Sequence, residues 1–406
     1  MNHEEKPVTA LVAVEDRNAA ADKSAYWGRV SRSYTVIWRV LLIALLLFAA
    51  LFMLLFSRAF TYDSIFCLFK DVRTVSSFIP SDYETVYATY EEGDHVSLPY
   101  RGGIAFVNGG GIEVFSPNGK RLLNVDVSFK NPRAAASRKY LVAYEQGGTH
   151  FSVTNSYAEL YRGETDFPIL GVEIADSGHF ALITTSDETL SQVLLYDNNF
   201  NLIQRFRRAS ATVDVGLSEN GKNVALLGAN AKEGTVYTQL DVFELGESEP
   251  SLALPAIEGE FPLSVGFVSG KTMAVLTDGA VRFYGIDGKL NNEIKLDRAP
   301  ITFSINENGV LLTLLTDELT ATHRVLCLNK RGGVAYDGSV RGHITAATPG
   351  EDEIFLLSGA RVIRLDVRSG EQTEQAVDAG AIGLYIVDSG ALRIVYPAKA
   401  EYLSFK

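Results

Sequence analysis

Two hydrophobic patterns divide the chain. From Val40 to Phe56 it reads VLLIALLLFAALFMLLF, seventeen positions without a charge, and Val36, Ile37 and Trp38 extend the run across Arg39. At about 1.5 Å per residue such a run predicts a helix of roughly 26 to 32 Å, matched to a hydrocarbon core of about 30 Å. After residue 80 the pattern changes to short apolar runs of period two, separated by Gly- or Asn-containing turns such as SPNG (116–119), ADSG (175–178), SENG (218–221) and NENG (306–309). That is the signature of strands and hairpins.

The turns belong to a longer repeat. A turn residue followed by an apolar run recurs from Ile104, Tyr140, Phe180, Val224, Met273, Val310, Ile354 and Leu392, at a mean spacing of about 41 residues. Most of these runs lead to a second apolar, alternating segment (IEVFSPNG, QVLLYDNN, LDVFELGE, VRFYGIDG, VIRLDVRS) and then to a polar one, such as RLLNVDVSF (121–129) or LIQRFRRA (202–209). Four strands per unit of 40 to 45 residues predict an all-β fold, an eight-bladed β-propeller. The apolar strands should lie in the middle of each blade and the polar fourth at its rim. Seven blades would follow if one run were a loop; the unit containing TNSYAELY (154–161) is the least regular. The chain stops at AEYLSFK, where a third strand is due, so the alternating stretch around 83–90 is expected to supply the missing outer strand and latch the ring.

These patterns give an expected organisation of a cytoplasmic tail (1–35), a transmembrane helix (36–57), a juxtamembrane linker (58–79) and a propeller ectodomain (80–406). Trp38, Arg39, Val40 and Phe56 are the expected anchor residues, with Arg39 snorkelling to the headgroups. Four basic residues precede the run within about 20 residues and three follow it, and the downstream region is strongly acidic. The expected localisation is therefore single-pass in the plasma membrane, N-terminus cytoplasmic and propeller extracytoplasmic, with the lipid bilayer as one partner.

A formal charge of −12 argues against non-specific nucleic-acid binding. Two cysteines, Cys67 and Cys327, exclude a disulfide framework and a four-cysteine zinc site. The six histidines lie too far apart for a metal-binding pair. NGGG (108–111) is flanked by strands and reads as a hairpin turn. DNNFN (197–201) lacks the Gly and closing Glu of a calcium loop and reads as an Asx turn. Arg205, Arg207 and Arg208 read as a solvated outer edge. No catalytic, cofactor or metal residue is assigned. A carboxylate pair across the propeller mouth would support hydrolysis, but spacing along the chain does not set that distance.

On these repeats the chain resembles the WD40/YVTN and quinoprotein-type propellers, and in architecture the uncharacterised bacterial single-span membrane proteins of Gram-positive anaerobes with a propeller ectodomain. RGHI (341–344) and LDVRSGE (365–371) carry part of that likeness. No WD dipeptide ends a third strand, and both tryptophans, Trp27 and Trp38, precede the repeats, so no pyrroloquinoline quinone site carries over. The resemblance implies a non-catalytic scaffold binding other envelope proteins, as in the propeller lipoprotein that assists outer-membrane assembly. The alternative is a small-ligand or glycan sensor using the central channel.

Overall fold

The structure is a computed structural model that describes residues 34, 36–48, 87–88, 95–116, 119–247, 249–388 and 391–405. The chain divides into two compact units, Met1–Phe69 and Lys70–Lys406.

In the first unit, residues 36–48 are helical and exposed, Trp38, Arg39 and Val40 among them. Thirteen residues at about 1.5 Å each span only about 20 Å, against a hydrocarbon core of about 30 Å. No helix among the described residues is long and apolar enough to cross a membrane. This overturns the single-pass plasma-membrane localisation and the orientation attached to it. The remainder of the apolar run with Phe56, the 58–79 linker and nearly all of the 1–35 tail lie outside the described residues.

In the second unit the strands form eight antiparallel sheets. Blades 1 to 7 are contiguous in sequence, at 95–126, 132–164, 169–208, 211–258, 262–295, 302–341 and 344–376. Within each, the first four strands pair in chain order, so the first is innermost, and in blade 4 Ile257–Glu258 adds a fifth that pairs with Thr235–Glu244. Blade 8 takes Gly383–Asp388, Ala391–Val395 and Lys399–Ser404 from the C-terminus, and Tyr87–Ala88 as its outer strand. Tyr87 lies opposite Ala400 and Ala88 opposite Lys399. The eight apolar runs read from the sequence are the eight second strands, and the least regular unit forms a blade with paired strands at His150–Thr154 and Glu159–Glu164.

Period two explains why the sheets form a ring. Side chains alternate between the two faces of a strand. In Asn223–Lys232 of blade 4, Val224 and Leu226 pack against blade 3, while Ala225 and Leu227 pack against blade 5. The same division repeats around the molecule, and eight apolar clusters fill the eight seams between neighbouring blades. A single blade would leave both faces in water; the ring buries them all. The fourth strands carry the polar residues outward, as in Gln372–Ala376 of blade 7.

Candidate functional site: the channel mouth

Eight inner strands surround a central channel. Each starts at one end of the channel and turns back at the other, where the turn between first and second strands forms a rim. At that rim lies a cavity of about 1090 Å³. Its lining is charged: Arg101, Arg138 and Arg393 face Glu173, Asp176, Glu219 and Glu307.

The turns explain these positions. In blades 2, 3, 4 and 6 they read SRK, ADSG, SENG and NENG, and the second residue of each is Arg138, Asp176, Glu219 or Glu307. Asn and Ser side chains hold the turns by hydrogen bonds to nearby backbone. Asn306 Oδ1 accepts from the Asn308 N–H at 2.8 Å, and Asn220 Oδ1 from the Lys222 N–H at 3.0 Å. In blade 1 a two-residue turn, Arg101–Gly102, has φ of 50° and 73°. Both are positive, as a tight hairpin of this twist requires, and only the glycine adopts this without cost.

Arg138 organises the mouth. Its backbone N–H donates to Asp176 Oδ1 at 2.9 Å, and its Nε lies 3.1 Å from Asp176 Oδ2 on the neighbouring blade. Its Nη2 reaches Glu307, 3.0 Å from Oε2 and 3.2 Å from Oε1. Blades 2 and 6 stand opposite each other in a ring of eight, so this side chain crosses the channel.

A second group lies deeper, about 10 Å below the rim for three strand residues. Glu173 sits on the inner strand of blade 3, half-buried, and burial together with the nearby Asp214 carboxylate pushes its pKa up to about 8. Asp214, on the inner strand of blade 4, accepts from Ser264 Oγ at 2.7 Å, the Val265 N–H at 2.9 Å and the Val215 N–H at 2.9 Å. Burial outweighs these bonds and holds Asp214 above the ordinary carboxylate range. Asp214 thus staples blade 4 to blade 5, and Glu173 is the acid whose proton is retained beside it.

The residues singled out by type in the sequence lie elsewhere. Asn108 Oδ1 accepts from the N–H groups of Gly110 and Gly111, so NGGG is a hairpin turn. Asp197 Oδ1 accepts from Asn199 and Asn201, so DNNFN is an Asx turn. Among the described residues no cluster of His, Cys, Asp and Glu could hold a metal ion. Cys327 is a free thiol, and burial raises its pKa to about 11. Cys67 lies outside the described residues. Of the three arginines read as a solvated edge, Arg205 and Arg207 pair with Asp166 and Glu188 at the surface, but Arg208 is buried in an ion pair with Asp241 of the next blade. Alternation turned it inward.

The eight radially packed sheets, the inner strands around a channel and the shared closing blade define a β-propeller. Within that class, the chain belongs to the Family of unknown function (DUF5711), whose model matches residues 80–402. No curated protein matches it. Among solved structures it is similar to a eukaryotic initiation factor, at 14% identity and a TM-score of 0.50, covering 79% of this chain and 90% of that one. It is also similar to BamB from Moraxella catarrhalis, at 10% identity and a TM-score of 0.49, covering 77% of this chain and 99% of that one. Apo AztD from Citrobacter koseri matches at 10% identity and a TM-score of 0.49, over 68% and 84% of the two chains. At these identities the likeness concerns the fold.

Proposed function

We propose that the protein is a non-catalytic interaction scaffold and that a partner protein docks over the charged channel mouth. The observation that supports this is the convergence of the rim turns: five blades place Arg101, Arg138, Asp176, Glu219 and Glu307 around one opening. Turns on a rigid β-scaffold are where propellers present recognition chemistry. The mixed charge favours a complementary polar surface over an apolar ligand. Two of the rim acids, Asp176 and Glu307, are engaged as ion-pair partners of Arg138, an arrangement suited to recognition.

Cross-linking in cells tests this reading. Lys139, Lys222 and Lys271 all lie exposed in rim turns. A partner recovered in near-stoichiometric amount, cross-linked at these lysines and lost when 80–406 is removed, is the expected result. Cross-links confined to outer-strand lysines, or no enriched partner, would overturn it in favour of a small ligand in the cavity.

A further inference from the structure

We infer that Arg138 is a salt-sensitive strap that closes this mouth of the channel. The inference goes beyond partner docking and holds whether or not a protein binds that face.

The two halves of the strap differ. On one side, Asp176 holds both the backbone N–H and the Nε of Arg138, and its side chain is 29% exposed. This is a fixed post on the adjacent blade. On the other side, Glu307 is 68% exposed and meets only the far end of the guanidinium. This is a catch on the opposite blade. An exposed ion pair of this kind is weak and screened by salt, whose Debye length is about 8 Å at physiological ionic strength. The post survives conditions that release the catch. With the catch closed, the guanidinium lies across the opening above Glu173; with it released, the side chain can fold back against blade 3 and leave the opening clear. The asymmetry makes the contact reversible, where two buried pairs would make it permanent.

The test measures access to the cavity in the purified full-length protein. Glu173→Cys places a thiol below the strap, and its alkylation by a small neutral maleimide is followed by peptide mass spectrometry, which separates it from Cys67 and Cys327. Adding Arg138→Ala should raise the labelling rate roughly two- to fivefold, the range set by loss of an exposed ion pair. Glu307→Gln should do nearly the same while the Asp176 contact remains. Raising sodium chloride should accelerate labelling with the strap intact and leave the Glu307→Gln background unchanged. Should Arg138→Ala fail to fold, Glu307→Gln and the salt series decide alone. Equal rates in all backgrounds, or equal salt dependence with and without Glu307, would overturn the strap.

Discussion

The seam between blades 8 and 1 differs from the other seven in what anchors the chain that crosses it, because that chain leaves from Tyr87–Ala88, a strand joined to the rest of blade 8 by pairing and not by a hairpin. Seams 3/4 and 5/6 each hold eleven buried apolar residues among the described ones, whereas the closing seam holds five: Ile104, Phe106, Phe115, Val395 and Ala400. Hydrogen bonds supplement it. Tyr385 Oη donates to the Ser97 carbonyl, and Arg393, 3% exposed, donates from Nη1 to the Gly102 carbonyl at 3.2 Å. The pairing of Tyr87–Ala88 with the last strand ties blade 8 to the chain that continues into blade 1. A ring whose termini meet therefore relies on strand pairing and directed polar contacts where apolar area is smallest. Elsewhere a larger apolar area does more of the holding, with polar staples such as Asp214 and Arg208–Asp241 added to it.

The largest expected effect comes from removing the latch. Deletion of residues 80–92 uncovers the edge of Lys399–Ser404 and unties the closing seam. The expected outcome is loss of a single cooperative thermal transition, with aggregation, in calorimetry and light scattering. An unchanged melt would mean that the apolar cluster closes the ring unaided.

Next in size is the buried ion pair of a continuous seam. Arg208 and Asp241 join blades 3 and 4 with side chains 10% and 4% exposed. Asp241→Ala strands a buried guanidinium and should cost about 3 to 5 kcal/mol in denaturant unfolding. The double variant Arg208→Leu/Asp241→Leu should recover most of it, because the seam around it is already apolar. If the double variant stays as unstable as the single one, polar stapling matters in continuous seams as much as in the closing one.

Glu173 gives a pH signature to the inner strands. Its folded pKa of about 8 lies above the ordinary value of 4.5, so the folded state retains a proton that the unfolded chain releases. Its contribution is fully present below pH 4.5 and is lost as pH rises to about 8, since stability falls wherever the folded state binds more protons. The difference should be on the order of 2 kcal/mol, because Glu173 lines the cavity and is only half-buried. Urea midpoints between pH 5 and 8.5 should show a decline that flattens in Glu173→Gln. A decline of equal slope in that variant would assign the titration to other groups.

Much of this architecture is legible in the chain. Ile104, Phe180, Val224 and their counterparts mark the second strands because a strand buried on both faces needs an unbroken apolar run. The alternating stretch around 83–90, upstream of the first full blade, points to closure by a shared strand, and Tyr87–Ala88 supplies it. The mouth is less legible. ADSG and NENG are recognisable as turns, yet only superposing the repeats reveals that Arg138, Asp176, Glu219 and Glu307 share one turn position. That Arg138 meets Glu307 depends on the number of blades, which sets which turns oppose each other. Arg208 is misread as solvated because a run of arginines hides the alternation that turns every second one inward. The apolar run at Val40–Phe56 satisfies a length criterion in sequence that the described helix at 36–48 does not meet.

The smallest expected effect isolates the closing seam. Tyr385→Phe removes one hydroxyl and little volume, leaving the ring between Ser97 and the apolar cluster. Burial holds the phenol pKa above its usual value despite the bond to Ser97, so the hydroxyl stays protonated and donating through neutral pH. Its loss leaves the Ser97 carbonyl without that donor and should cost about 1 kcal/mol. The location of the loss matters more than its size. Amide hydrogen exchange should speed up in strands of blades 1 and 8 and stay unchanged in blades 4 and 5, because local opening follows the weakest seam. Exchange that accelerates evenly around the ring would show that the closing seam opens only with global unfolding, and that eight seams of unequal composition are equal in stability.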